Sequence, residues 1–365
     1  MPKSIAIIGI TGNQGSSVAS HYLSLNSAAI QSGDAPPYTI RGLTRNPASP
    51  AAIHLKSQSV EIVKADLDDA SALISALKGA NLIFSVTNYW EPFFRPDCRA
   101  KAKQLGLSPR KYAYDVEHAQ GQNIADAAAA TVDSLDDNGF IVSTLSHATQ
   151  CSNGKYPELY HFDAKADIFP NYVKAKHPEL AKKMSCLQTG YFMHSFRIAP
   201  ASYFRRTGDK SFETCFTTHP DTKVPHLDPV GDVGKMVHAI SQLPAGKSYM
   251  AAGDMMSWKE WMEVWGRVTG MESRYRQVSV EETVAHCGDE DFGKEIADMF
   301  SYSSWPGYDG VSEIEAKEGE QDAEKVVIYS KDLKKLGVDV KMTSWEEYVK
   351  KSDWSEVLNK EVVQP

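Results

Sequence analysis

Ser4-Ile5-Ala6-Ile7-Ile8, running into Gly9-Ile10-Thr11-Gly12-Asn13-Gln14-Gly15, decides the fold. A short aliphatic run without polar alternation reads as a strand buried on both faces, as in a parallel sheet covered by helices. Gly9 permits the tight turn out of the strand, Gly12 lets backbone approach a pyrophosphate, and Gly15 allows the next helix to pack closely. Free N–H groups and the dipole of that helix favour an anion at its start. Gly9, Thr11, Gly12, Asn13, Gln14 and Gly15 are therefore expected to cradle a dinucleotide, the alternative being a tight turn that binds nothing.

Outward from this motif, strand patterns at 38–43, 60–64, 80–86, 139–143 and 185–189 alternate with helical patterns at 16–25, 69–77, 116–131 and 163–173. Such alternation implies βαβ units and a parallel sheet with helices on both faces. After Gly190 the alternation loosens, leaving a Trp-studded helix at 257–269, an acidic loop at 310–325 and short terminal helices. The expected fold is α/β: a Rossmann-type doubly wound parallel sheet (1–190) with a smaller, less regular C-terminal α/β substrate domain (191–365), some of it packing back on the first.

The 365 residues carry 39 Lys plus Arg against 47 Asp plus Glu, a formal net charge of −8. Nucleic-acid binding draws its affinity from clustered cations, so no nucleic-acid partner is expected. No stretch approaches the roughly 18 apolar residues of a membrane span, and the N-terminus lacks a small-residue cleavage site. Cys98, Cys151, Cys186, Cys215 and Cys287 form no Cys-x-x-Cys pair. That usage suits a reducing compartment, with neither a disulfide framework nor a metal site. A cytoplasmic protein without membrane or metal is the expectation.

An NAD-binding chain usually carries an acid after its second strand, to hold the ribose 2′-hydroxyl. Here that place reads Thr44-Arg45-Asn46-Pro47, and Arg45 suits a 2′-phosphate, which favours NADP(H); a solvent-facing turn arginine is the alternative. Asp66 and Leu67 follow the third strand and are placed to line the adenine, although Asp66 equally suits the start of a turn or helix. Ligands of open α/β sheets sit beyond the carboxyl ends of the strands. Those ends hold Thr87-Asn88-Tyr89-Trp90, the 143–147 segment with Ser146, and Tyr191-Phe192-Met193. Thr87, Asn88 and Tyr191 are assigned to the cofactor; Tyr89, Trp90, Ser146, Phe192 and Met193, with Trp305 and Tyr308 from an aromatic loop, are assigned to a bulky, flat, apolar ligand. For Phe192, Met193 and the aromatic loop, ordinary core packing is the alternative reading. The insertion at 91–113, rich in Arg and Lys, suits a lid, a docking surface or a solvated excursion.

Taken together, these motifs resemble the NmrA-like family, atypical short-chain dehydrogenase/reductases, and especially its fungal branch. The resemblance rests on the 9–15 loop, Thr44-Arg45-Asn46-Pro47, Asp66-Leu67-Asp68-Asp69 and Val86-Thr87-Asn88-Tyr89-Trp90. It continues through Gln120-Gly121-Gln122-Asn123, Tyr160-His161-Phe162-Asp163-Ala164-Lys165, Asp228-Pro229 and Asp353-Trp354-Ser355. It implies that Lys165 is the lysine of the superfamily's Tyr-x-x-x-Lys pair, a cofactor ligand and a catalytic residue. Four residues earlier stands His161, and Tyr160 lies about 100° around the helix. Either His161 substitutes as the acid, or it is a packed or surface histidine and no side-chain acid exists; a solvated helix lysine is the alternative for Lys165. Carbonyl reduction needs a donor for the developing oxyanion, so hydride transfer from NADPH to an imine, iminium or conjugated C=C is favoured over a simple ketone. A bulky aromatic or N-heterocyclic substrate of specialised metabolism, with a product able to cyclise in the pocket, fits that chemistry. The competing implication is a non-catalytic NADP(H) sensor that binds a transcription factor or another protein.

Overall fold

The computed structural model describes residues 1–198, 203–311 and 327–359. Its main layer is an eight-stranded sheet ordered β14-β11-β6-β5-β4-β1-β2-β3. The strands are β1 (Lys3–Ile8), β2 (Tyr38–Thr44), β3 (Glu61–Lys64), β4 (Leu82–Ser85), β5 (Phe140–Thr144), β6 (Met184–Thr189), β11 (Ser248–Ala251) and β14 (Val327–Tyr329). Every pairing within this sheet is parallel. Ile5, Ala6, Ile7 and Ile8 are all buried, as a strand covered on both faces requires. Strand order reverses between β1 and β4, which opens a crevice at the switch point beside the glycine loop.

Close backbone approach explains the glycines. Gly9 has φ of +67°, and a Cβ on Gly15 would lie 2.2 Å from the Gly9 carbonyl oxygen. The helix that follows, Asn13–Gln31, starts from Gly12 without a side-chain cap and has no acid in its first turn. Its far face meets the Pro229–Ser241 helix, where a Cβ on Gly234 would sit 2.3 Å from the Ser17 carbonyl oxygen. Gly234 N–H donates instead to Ser17 Oγ at 3.0 Å.

Chain beyond residue 190 thus supplies β11, β14 and a covering helix to the first layer. The rest builds two three-stranded sheets. One runs β12-β10-β7 and the other β13-β9-β8, with β7 at Tyr191–Phe192, β8 at Arg205–Arg206, β9 at Ser211–Phe216, β10 at Val224–Leu227, β12 at Asp254–Met256 and β13 at Glu272–Gln277. The Trp258–Thr269 helix begins at a reciprocal capping box between Ser257 and Glu260. It buries Trp258, Trp261 and Trp265, and Trp345 donates its indole N–H to the Trp261 carbonyl at 2.8 Å. This aromatic core underlies the floor of the crevice.

Two local expectations change. The helix expected over 163–173 is instead Tyr160–Ala166, because Pro170 forces Phe169 into extended backbone at φ −122°, ψ 98°. The insertion after β4 is helical, at Trp90–Phe94 and Pro96–Gln104, and the next helix already starts at Pro109 behind a Ser108 cap. Nearly all of the acidic stretch at 310–325 lies outside the described residues.

Candidate functional site

A cleft of about 610 Å³ runs from the glycine loop, past the carboxyl ends of β4, β5 and β6, to the second half of the chain. That is the size of a small-molecule or cofactor site. At one end lie Gly9, Thr11, Gly12, Asn13, Gln14 and Gly15, with Arg45, Asp66 and Leu67 alongside. The uncapped first-turn N–H groups are open to an anion, and a Cβ on Gly12 would come within 3.3 Å of the Gly9 carbonyl oxygen. These residues fit a dinucleotide. Asp66 serves the turn as well, accepting from Asp68 N–H at 3.1 Å. Asn123 Nδ2 donates to the Leu67 carbonyl at 2.8 Å and Gln120 Nε2 to Asp68 at 3.0 Å, which holds this loop against the 109–129 helix.

Arg45 is half exposed, and its guanidinium donates to Glu91 Oε1 at 3.1 Å. Glu91 stands at the first turn of the Trp90–Phe94 helix and also contacts Arg95 at 3.4 Å. The insertion is therefore tied to the edge of the crevice. On the opposite side, Asn13 Nδ2 lies 3.0 Å from His194 Nε2. Burial and the nearby Arg197 keep that imidazole below its ordinary pKa.

Midway along the cleft, Lys165 projects from the Tyr160–Ala166 helix. Its ammonium pairs with the fully buried Glu117 carboxylate and lies 3.4 Å from Thr87 Oγ1 and 3.5 Å from the Thr87 carbonyl oxygen. The second oxygen of Glu117 is buried without a partner. One helical turn before Lys165, His161 also lines the cleft. Its ring Nδ1 lies 2.7 Å from Glu295 Oε1, which also accepts the His161 backbone N–H at 2.9 Å. Glu295 Oε2 accepts Arg110 Nε at 2.7 Å, and Arg110 reaches on to Asp298 at 2.9 Å and Glu158 at 3.3 Å. Burial pushes the Glu295 carboxyl up, but the His161 and Arg110 contacts outweigh it and hold it below the usual range.

Aromatic side chains form the remaining wall. The Trp90 and Tyr89 rings lie 5.0 Å and 5.8 Å from the His161 ring. Tyr191 stacks on Phe300 at 5.3 Å and bonds Ser303 Oγ through its hydroxyl at 2.7 Å. Phe192 and Tyr308 also line the cleft, as do Tyr203, Phe292 and Met299, which the sequence did not single out. Ser146, Met193 and Trp305, assigned to the ligand from sequence, stand behind that lining. Ser146 Oγ is 2.9 Å from Tyr302 Oη and donates to the Tyr308 carbonyl. Met193 is buried in the aromatic core, and the Lys155 ammonium sits over the Trp305 ring at 5.3 Å. Sequence reasoning also missed Glu117 and Glu295, and it read Arg110 only as one of the basic residues of 91–113 and His194 only as the end of a strand-end segment. For Glu117 and Arg110, charged residues on the buried face of the 109–129 helix were the available signal. Glu295, far along the chain, had none.

Just behind the site, His147 bridges Asp163 through Nδ1 at 3.0 Å and Asp167 through Nε2 at 3.0 Å. Burial disfavours its charge, but the two carboxylates outweigh this and raise the imidazole to about 9. Because the folded value exceeds the unfolded value of about 6.5, the stabilisation is complete below pH 6.5 and disappears as pH rises through about 9. His147→Gln should cost about 2 kcal/mol near pH 6, discounted for residual solvent contact. In urea unfolding the gap to wild type should close above about pH 9; a gap independent of pH would refute the ion-pair account. Among the described residues, no three His, Cys, Asp or Glu side chains gather as a metal set, and no helix is long and apolar enough to cross a membrane.

The NmrA-like family matches residues 1–349. The NmrA-like family domain-containing oxidoreductase ptmS of Penicillium ochrochloron is 24% identical over 289 residues, 76% of each chain. The oxidoreductase FrzB of Cladobotryum sp is 26% identical over 75% of this chain and 76% of its own. Among solved structures, NmrA, a negative transcriptional regulator, in complex with NADP, superposes with a TM-score of 0.64 at 17% identity, covering 96% of this chain and 95% of that one. The NADPH-dependent quinone oxidoreductase QOR2 from Escherichia coli, complexed with NADPH, gives 0.57 at 20% identity over 94% and 98%. The structural likenesses carry the fold, a Rossmann-like parallel sheet flanked by helices. With the family match spanning nearly the whole length, this chain belongs to the NmrA-like family.

Proposed function

We propose that this chain is an NADP(H)-dependent reductase of fungal specialised metabolism, acting on a bulky substrate with a conjugated C=C or C=N bond. The observation that carries this reading is the continuity of the cleft. Glycine-loop amides, Lys165 at the strand ends and an aromatic wall with a polar His161 follow one another along a single cavity. The curated relatives named above are called oxidoreductases, and two solved neighbours hold NADP or NADPH. Residues 9–15 would receive the pyrophosphate on their amides, Arg45 the 2′-phosphate, and Lys165 with Thr87 the nicotinamide ribose. The cofactor supplies hydride when bound. The aromatic wall excludes water and orients a flat substrate across the strand ends.

The test is NADPH consumption against a panel of cyclic imines, enones and ketones, alongside cofactor titration. Turnover of enones or imines supports the reading. No turnover, together with strong discrimination between NADP⁺ and NADPH, would favour a redox sensor instead. The Arg45–Glu91 bridge supports that second reading, since it ties the phosphate position to the surface helices of the insertion. Arg45→Ala should weaken NADPH binding roughly 10-fold, the value of a charge-assisted contact, and leave NADH nearly untouched in fluorescence titrations. Equal loss for both cofactors would refute the phosphate assignment.

A further inference from the structure

The His161–Glu295 contact joins a cleft-lining ring on one helix to a fully buried carboxylate on the Glu290–Tyr302 helix, which comes from the far end of the chain. A carboxylate accepts and cannot donate, so the ring nitrogen facing it must carry a proton whether the imidazole is neutral or charged. Glu295 Oε1 also holds the His161 backbone N–H, and Arg110 holds its other oxygen. The carboxylate can therefore neither turn away nor change its face toward the ring. Among the described residues Nε2 has no hydrogen-bond partner, and the ring stands 5.0 Å from the Trp90 ring and 5.8 Å from the Tyr89 ring on the cleft wall. Lys165 projects one turn further along the same helix, on the same side.

We propose that Glu295 is the positioning residue of a proton-donating His161, fixing Nδ1–H so that Nε2–H is delivered to the cleft. The substrate is then a neutral conjugated carbonyl or a neutral cyclic imine, which gains a proton as it gains hydride. This rests on the reductase reading above and narrows its substrate class. With hydride supplied by a reduced nicotinamide held on the residues named above, the π pair of the substrate would move to its oxygen or nitrogen as the new C–H bond forms. That atom takes the proton from Nε2, the Nε2–H bond breaks, and the ring is left neutral with Nδ1–H still on Glu295. Solvent restores the Nε2 proton after product leaves. A permanently charged iminium needs no such proton, because hydride alone neutralises it.

Several charged or titratable groups face this pair. Arg110, Asp298 and Glu158 lie behind Glu295, Lys165 with Glu117 one turn away, and the Tyr89 hydroxyl bonds the Arg110 carbonyl at 3.1 Å. The tests use Glu295→Gln and His161→Gln in the full chain, with three probes: trans-chalcone, dihydroisoquinoline and the N-methyl iminium salt of the latter. Both variants should lose roughly 100-fold in kcat/KM on the two neutral probes, while the iminium salt falls by no more than about fivefold. Long-range proton–nitrogen NMR correlations on the cofactor-free protein, with His161 assigned by its absence from His161→Gln, should show the neutral ring protonated on Nδ1.

Equal losses on all three probes, or a neutral ring protonated on Nε2, would overturn the positioning role. Wild-type turnover of the neutral probes that survives both substitutions would overturn the proton donor and leave the reductase reading standing. No wild-type turnover of any probe would sink the reductase reading itself and the donor with it.

Discussion

Arg110→Met is expected to destabilise the folded protein by about 4 kcal/mol, the cost of breaking a buried ion pair from one side. The Arg110 side chain is only 4% exposed, and its guanidinium satisfies Glu295 at 2.7 Å, Asp298 at 2.9 Å and Glu158 at 3.3 Å. Methionine fills similar volume, so the loss is electrostatic rather than a cavity. Glu295, fully buried, would lose its guanidinium partner while keeping the His161 contacts. Asp298 is already pushed above the usual carboxylate range by burial and would lose the charge that opposes that push. Urea unfolding at neutral pH measures the effect. Most of it should return in the Arg110→Met, Glu295→Leu double variant, where neither charge remains buried alone. A single-variant loss below about 1 kcal/mol would show that water already solvates the cluster, as it does for exposed pairs.

Lys165→Met should abolish at least about 99.9% of NADPH-driven turnover, the scale of losing one preorganised cationic contact at the reacting centre. The same change strips the counter-charge from Glu117, which is fully buried and already has one oxygen without a partner. A stability loss of about 3 kcal/mol should therefore accompany the loss of activity. Lys165→Met combined with Glu117→Gln separates the two effects. The pair should recover most of the stability, since a neutral amide tolerates burial better than a lone carboxylate, yet remain inactive. Stopped-flow and urea unfolding on the same preparations supply both readouts. Recovery of turnover in the double variant would mean that Lys165 acts through folding alone.

Much of the architecture was legible because its signals are local. Ser4 to Gly15 announces a buried strand, a turn at positive φ and a close helix approach within a dozen residues. Steric limits on backbone leave few alternatives to glycine there. The strand-end aromatics of 87–90 were legible from the strand pattern, and Lys165 from the resemblance of 160–165 to a family motif; both line the cleft. The break at Phe169 was missed although Pro170 stood in plain view, since apolar periodicity continued through it. Ser146 and Met193 were read as strand-end residues and Trp305 as part of an aromatic loop, with core packing the alternative for Met193 and Trp305, and all three stand behind the residues that line the cleft.

The partners of the chemistry were not legible. Glu295 stands 134 residues from His161, and Asp298 188 residues from Arg110. Nothing in a helix such as Glu290–Tyr302 marks one of its acids as the buried one until the helix is docked. The sequence by itself determined the parallel sheet and the glycine-rich turn, because short-range sterics and residue identity suffice for both, whereas the family resemblance alone read His161 as standing where the superfamily carries tyrosine. Only the tertiary structure decided whether that histidine is a packed ring or a group held by a carboxylate at the cleft wall. The physical reason is that desolvation and charge pairing depend on which distant side chains share a buried volume, and no local pattern encodes that.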